Sequence, residues 1–317
     1  ATSALKRFRM EIDMKIKKRV LVWMLSCAIS LSALTVPVWA DAAVGDTVAI
    51  MGEDLSEEER QSLLNQFGAT DATTVLSISN AEEHEALGDL IPAAQIGSRA
   101  ISSVMITYRE SGAGLNIQMS HITYVTPQSY ADALTTLGIS DADIVISAPY
   151  DVSGTAALTG IMKGFESLTG ETIDEEVKEA VNEEALVSTD ISEELAADSS
   201  IEDAQEVTSD IISDIKVQIN EQNPQTTEEI EQIVRDALEN AGITISDELF
   251  QRLVDLFDKM KDLDIDWGQV ANSIEDGANR LFDDLMNAAG SDEARSFFSQ
   301  IGDWFSNLWQ QIKSLFQ

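Results

Sequence analysis

The amino-acid sequence predicts an α/β N-terminal domain, a mixed sheet with one hairpin covered by helices, followed by an all-α C-terminal helical domain. Three observations predict it. Between Val44 and Gly170, short β-rich apolar runs alternate with helical segments that carry their own caps. Two of those runs, Ala100 to Tyr108 and Leu115 to Val125, are separated only by residues 109–114 (RESGAG), whose glycines suit a turn between paired strands. Beyond Gly170 the apolar residues recur at helical spacing, with no further strand pattern. The expected domains are therefore 41–170, mixed α/β, and 171–317, helical.

Each element has a local cause. Thr47 to Met51 reads as a strand and Gly52 to Leu55 as a turn. Ser56 then caps a helix whose first turn holds Glu57, Glu58 and Glu59, where negative charge suits the helix dipole. Leu63, Leu64 and Phe67 form its buried side, and Gly68 ends it. Thr73 to Ser79 is a second strand, and Asn80 with Glu83 reads as a capping box for a short helix through Leu87. Leu115, Ile117 and Met119 alternate on odd positions and Ile122 and Tyr124 on even ones, so a β-bulge is expected near Ser120 and His121. Thr126-Pro127 opens a helix that runs to Gly138. Asp141 to Gly170 then reads as strand (Ile144 to Ala148), small-residue elbow, and helix after Ser153.

In the helical part, Thr172 to Leu186 and Ile191 to Ala197 read as two acidic pieces, Asp198 to Asp203 as a weak linker and Val207 to Ile219 as a longer helix. Thr226 with Glu229 forms a capping box for a helix that Gly242 ends, and apolar stripes follow from Leu249 to Leu263 and from Trp267 to Leu285. The last helix carries Phe297, Phe298, Ile301, Trp304, Phe305, Leu308, Trp309, Ile312, Leu315 and Phe316. At about 100° per residue these fall within an arc of roughly 140°. Such a face docks into the helical bundle or binds a partner protein; with Lys313 as its one base it lacks the basic polar face of a membrane-surface helix.

The chain has 56 Asp and Glu against 20 Lys and Arg, a net charge of −36. That field repels phosphate backbones and anionic lipid, so nucleic acid is excluded as a partner and a cationic one is favoured. Residues 1–13 read as an upstream or non-native extension and 14–40 as a secretory signal peptide. Lys15, Lys17, Lys18 and Arg19 precede the apolar run VLVWMLSCAISLSAL, and Val38 and Ala40 are the small residues of a cleavage site. The apolar run falls short of the about 20 residues that span a bilayer, so no transmembrane segment is expected after cleavage. Cys27, the one cysteine, lies inside this signal, so the mature chain would be held by its core without disulfides. The expected location is secreted or extracytoplasmic, associated with the cell envelope.

Candidate chemistry is sparse. The two histidines, His84 and His121, have no metal-ligand spacing. A Ser153, His121, Asp151 hydrolase set can be drawn, but residues 151–155 (DVSGT) lack the first glycine of a nucleophile elbow. Asp262, Asp264 and Asp266 make a weak calcium candidate: Gly268 comes one position late and Ser273 stands where a bidentate Glu would close the loop. Asp266 suits a helix N-cap better. No other cofactor is indicated. The elbow Pro149 to Thr155 is the candidate ligand site, with Ser153, Gly154 and Thr155 at a helix N-terminus that follows a strand. It has neither a P-loop lysine nor a G-x-G-x-x-G fingerprint. Capping by Ser153 or Thr155, with Gly154, Gly160 and Gly164 letting the helix lie close to the sheet, accounts for the same residues.

Residues 52–59 (GEDLSEEE), 80–84 (NAEEH) with Leu87-Gly88, 100–103 (AISS), 124–126 (YVT), Ala148-Pro149 and 152–160 (VSGTAALTG) occur in this order. Together they resemble the YpuA-like family, DUF1002, whose members are exported by Gram-positive bacteria. The resemblance covers the mature chain and is strongest from Val44 to Gly170. It implies export and supplies no activity or catalytic residue. The expected role is that of an exported, acidic, envelope-associated protein that binds an envelope protein or cationic partner without catalysis. The alternative is a small-molecule enzyme or hydrolase with its site at Pro149 to Thr155.

Overall fold

The computed structural model describes residues 43–288, apart from 200 and 202. Its elements run β1 (Thr47–Gly52), α1 (Glu57–Phe67), β2 (Thr74–Ile78), α2 (Asn80–Leu87), α3 (Ala93–Ile96), β3 (Ser103–Tyr108), β4 (Leu115–Ile122), α4 (Pro127–Thr136), β5 (Ala142–Val152) and α5 (Thr155–Thr169). Helices then follow one another: α6 (Glu175–Ala196), α7 (Ala204–Gln222), α8 (Thr227–Ala241), α9 (Asp247–Met260) and α10 (Trp267–Ala288). A mixed sheet followed by a run of helices is the class the sequence predicts. The expected extension, the signal segment and the aromatic face from Phe297 to Phe316 lie outside the described residues.

The strands form one sheet in the order β2-β1-β3-β5-β4. β1 is parallel to β2 and β4 is parallel to β5, each pair being joined through a helix, while β3 lies antiparallel to both β1 and β5. The expected hairpin is thereby corrected, because β3 and β4 are not neighbours. β5 lies between them, its Ile144 and Ile146 fully buried, whereas β4 exposes Asn116, Gln118 and His121 and suits the sheet edge. Residues 109–114 bridge across the end of β5: Arg109 N donates to Asp141 O at 3.0 Å and Gly114 N to Asp141 Oδ1 at 2.7 Å. The bulge falls where the change of phase places it, with a register shift between Ser120 and Ile122 and His121 at φ 60°.

Alternation along the strands separates two cores. Val48, Ile50, Val104, Ile106, Ile144 and Ile146 face α4, α5 and α6, while Ala49, Met51 and Met105 face Leu63 and Phe67 of α1. α5 lies close to the sheet because Gly160 and Gly164 sit over β1: an added Cβ would stand 3.0 Å from Ile50 Cγ2 at Gly160 and 2.7 Å from Ile50 Cδ1 at Gly164. A third cluster joins α6 to α9. α6 serves two of these clusters, giving Val177, Val181 and Leu186 to the sheet and Ala180, Val187 and Ile191 to the helices. The two acidic pieces expected at 172–186 and 191–197 are therefore one helix; Val187, Ser188 and Thr189, in the expected gap, are all fully buried. Among the described residues no helix is long and apolar enough to cross a membrane.

The seam between α4, α6 and α7 is polar. Lys216 of α7 and Glu184 of α6 form an ion pair with 1% and 0% side-chain exposure. Glu184 Oε1 faces Lys216 Nζ without hydrogen-bond alignment, and Glu184 Oε2 accepts from Thr136 Oγ1 at 2.7 Å. Lys216 Nζ also donates to the backbone carbonyl of Asp132 at 3.0 Å, and the buried Asp132 carboxylate accepts from Ser188 at 3.0 Å and Ser209 at 2.7 Å. Burial pushes the Asp132 and Glu184 carboxyls above the usual range, and Lys216 opposes that rise. Removing the cation leaves two desolvated carboxyls. Lys216→Met is expected to lower unfolding free energy by about 3–5 kcal/mol in urea titration. A second change, Glu184→Gln, is expected to restore part of the loss; a single-variant loss within ~0.5 kcal/mol would show that the seam does not depend on this pair.

Candidate functional site

The elbow after β5 is shorter than its sequence suggests. Pro149 to Val152 extend the strand, with Ile122 paired to Val152, and the turn itself is Ser153-Gly154. Gly154 has φ 100°, in the left-handed region where a side chain is strained. An added Cβ would also meet Ile122 Cγ2 at 2.6 Å and Tyr130 Oη at 2.8 Å. Tyr130, fully buried on α4, donates from its hydroxyl to Gly154 O at 2.8 Å.

Neither Ser153 nor Thr155 caps α5, which corrects the alternative drawn from the sequence. No side chain caps at Gly154; Ser102 Oγ, from the segment before β3, accepts the backbone N–H of Ala157 at 3.0 Å. Ser153 Oγ and Thr155 Oγ1 lie 2.9 Å apart, and Thr155 Oγ1 donates to Glu83 Oε1 at 2.9 Å. With Glu83 ionised, the one Thr155 hydroxyl proton goes to the carboxylate, so Ser153 is the donor to Thr155. A line of hydroxyls thus runs from the elbow to a buried carboxyl.

Glu83 reaches that place because it does not cap its helix. Ser79, not Asn80, is the N-cap of α2: its Oγ accepts from Glu82 N at 3.3 Å, and its N–H donates to Glu82 Oε2 at 2.8 Å. The box therefore sits one residue earlier than expected, and Glu83 turns inward to 1% exposure. Asn80 Nδ2 donates to Glu83 Oε2 at 3.1 Å. Burial pushes the carboxyl up from 4.5 to about 7, while the bonds from Asn80 and Thr155 hold it down in part.

These groups line a cavity of about 260 Å³. Ser153, Thr155, Ala156 and Glu83 form one side; Ile96, Gly97, Ser98, Arg99, Ile101 and Ser102 form the other, with Tyr150 and Val152 completing the wall. The second side comes from α3 and the loop after it, where the sequence predicts no helix and no ligand residue. His84 Nε2 contacts Gly97 O at 2.9 Å and ties this loop to α2. At the rim, Arg99 Nη1 donates to Tyr150 Oη at 2.9 Å and Arg99 Nη2 to Asp54 O at 2.6 Å. Of the candidate ligand residues, the structure thus brings Ser153 and Thr155 to the cavity, while Gly154 shapes the turn.

The other candidates are placed elsewhere. His121 Nδ1 meets Asp151 Oδ1 at 2.9 Å on an exposed stretch, and neither residue lines the cavity that Ser153 faces. Asp266 Oδ1 accepts from Gln269 N at 2.9 Å in the first turn of α10, and Asp262 pairs with Lys261 at 2.6 Å, while Asp264 is exposed. Among the described residues, no three His, Cys, Asp or Glu side chains are grouped to hold a metal ion.

The DUF1002 family model, a protein of unknown function, matches residues 51–276. The chain is 37% identical over 300 residues to the uncharacterised protein YpuA of Bacillus subtilis (strain 168), covering 95% of this chain and 100% of that one. No solved structure matches the chain.

The raised Glu83 carboxyl links stability to pH. Below about 4.5 it is neutral in folded and unfolded chains alike. Between 4.5 and about 7 the folded protein keeps a proton that the unfolded chain has lost, so this group's contribution falls as pH rises. Above about 7 the full cost is present, on the order of 3 kcal/mol for that difference. Glu83→Gln is therefore expected to be the more stable form at pH 8, with its advantage over the parent shrinking towards pH 4.5. Urea midpoints of both proteins across that range check this; parallel curves would show that Glu83 keeps an ordinary carboxyl.

Proposed function

Because the chain belongs to the DUF1002 family, whose function is unknown, we propose from its own geometry that it is an exported, envelope-associated protein that binds a small polar ligand in the elbow cavity. The observation that carries this is the convergence of Ser153, Glu83, Ser102 and the Arg99–Tyr150 pair on one cavity of about 260 Å³. These groups come from three separate parts of the chain, and their polar atoms are held by hydrogen bonds within the fold. A few fixed polar groups among apolar walls, here Ile96, Ile101, Val152 and Ala156, are what a ligand pocket requires.

Binding fits the chemistry better than catalysis. The cavity lining holds no histidine, cysteine or lysine to act as nucleophile or base, and the Thr155 hydroxyl is buried with its proton directed at Glu83. One observation favours a hydrolase as the second reading: the line Ser153, Thr155, Glu83 leads from an elbow hydroxyl to a carboxyl that titrates near about 7. Ester turnover lost in Ser153→Ala would establish that reading over the first. Export rests on the basic and apolar pattern of residues 14–40 and on Cys27 lying inside it. The net charge of −36 disfavours nucleic acid and suits a cationic envelope partner for the outer surface.

Two measurements test the proposal. Isotope-labelled protein titrated with a library of small polar molecules is expected to show backbone shifts concentrated at Ser98, Arg99, Tyr150 and Ser153; responses confined to other surfaces would reject the cavity. Mass spectrometry of protein recovered from the expressing cell's envelope and medium is expected to find a chain beginning at Asp41. Recovery only of cytoplasmic chain that retains residues 14–40 would reject export.

A further inference from the structure

The lining of the elbow cavity also indicates what it takes, an inference that rests on the cavity being the binding site proposed above. We propose that its ligand is a neutral, hydroxyl-rich ring of single-sugar size, held between the Tyr150 side chain and the hydroxyls of Ser98, Ser102 and Ser153.

Size sets the first limit. A volume of about 260 Å³ lies at the small end of ligand pockets, which run from about 300 to about 1,000 Å³, and suits one small ring with its substituents. Charge sets the second. Arg99 is the one cation in the lining, and its guanidinium already donates to Tyr150 Oη and to Asp54 O. With Asp54 beside it and a net charge of −36 around it, a free anion gains little there. An ammonium fares no better, since both oxygens of the Glu83 carboxyl already accept hydrogen bonds, from Thr155 and Asn80, and Arg99 stands at the rim. A ligand without net charge meets neither obstacle.

The other polar side chains of the lining are the Gln95 amide and hydroxyls, groups that both donate and accept and so match ligand hydroxyls. Ser102 Oγ accepts from Ala157 N and keeps its own proton to give. Ser153 gives its proton to Thr155 and keeps lone pairs to accept. Ser98, exposed at the rim, does both. Tyr150 adds the apolar surface a sugar ring needs for its C–H face. It is 43% exposed, an unusual state for a large aromatic side chain, and its hydroxyl is fixed by Arg99, so the ring is held in place before any ligand arrives.

The test uses the full chain and four probe classes: glucose, galactose and N-acetylglucosamine as neutral sugars, glycine as a zwitterion, inorganic phosphate as an anion and ethanolamine as a cation. Saturation-transfer NMR and calorimetry are expected to detect a sugar and none of the charged probes. Tyr150→Ala is expected to weaken that sugar by about tenfold, and Tyr150→Phe, which keeps the ring, by no more than about threefold. Tyr150 is exposed, so an unchanged melting midpoint verifies that both variants fold. Binding of glycine, phosphate or ethanolamine in place of sugars would overturn the ligand class and leave the cavity reading standing. Sugar binding indifferent to Tyr150→Ala would overturn the assignment to this wall, and silence from every probe would overturn the class and the cavity together.

Discussion

Lys216 is the interaction on which the rest of this structure depends, because its burial ties the helices to the sheet at a point connected to the cavity. A lysine at 1% exposure is tolerable only if its charge is met. Glu184 meets it from α6 and the carbonyl of Asp132 from α4. α4 is thereby clamped between the sheet and the helical layers. Two residues before Asp132 on the same helix, Tyr130 sends its hydroxyl to Gly154 O. The position of the elbow therefore follows from the position of α4, and the position of α4 from the polar seam.

The same logic governs the cavity itself. A buried carboxyl must be satisfied or neutral. Glu83 is both in part: Thr155 and Asn80 hydrogen-bond to it, and desolvation raises its titration to about 7. The N-cap of α5 is Gly154, which has no side chain, so the N–H of Ala157 finds its acceptor in Ser102 on the opposite wall. Glu83 thus joins α2 to α5, and Ser102 joins α5 to the segment before β3. The cavity is the space between elements that Glu83, Ser102 and the Arg99–Tyr150 bond keep in fixed relation.

What was legible in the sequence was what is decided locally. Ser56, Thr226 and Thr126-Pro127 start their helices, and Gly68, Gly170 and Gly242 end theirs in the left-handed conformation, because capping is settled within one turn of chain. The bulge at His121 was legible because a change of alternation has a single geometric solution. Strand pairing was not. Two β-rich runs around a glycine-rich segment look like a hairpin, and nothing within them shows that β5, arriving twenty residues later in the chain, will separate them. Glu83 was hidden by an ambiguity one residue wide, since Ser79 with Glu82 and Asn80 with Glu83 have the same spacing. Serine, the residue type of the capping box, takes it with Glu82, and the remaining glutamate turns inward. Arg99 and Tyr150 meet across 51 residues, for which a single sequence holds no local signal.

Two sets of carboxyls act in opposition as pH changes. Glu83 and Asp210, each raised to about 7, are costly when ionised, Glu83 through burial and Asp210 through burial and then the neighbouring Glu206, Asp132 and Asp214. Their cost disappears as pH falls below about 7, so mild acid stabilises the fold through them. Glu59 and Glu82 lie below the ordinary value of 4.5, Glu59 through its bonds to Ser56 and Glu82 because the bonds from Lys163 and Ser79 outweigh desolvation. Their contribution is present above 4.5 and is lost as pH falls through their folded values, when α1 and α2 lose the carboxylate half of each capping box. α2 carries both kinds side by side, Glu82 facing solvent and Glu83 facing the cavity. Acid strong enough to unmake its cap would loosen the helix that presents Glu83, so integrity of the cavity is expected to end where the capping carboxylates protonate, below the range in which Glu83 itself is most at ease.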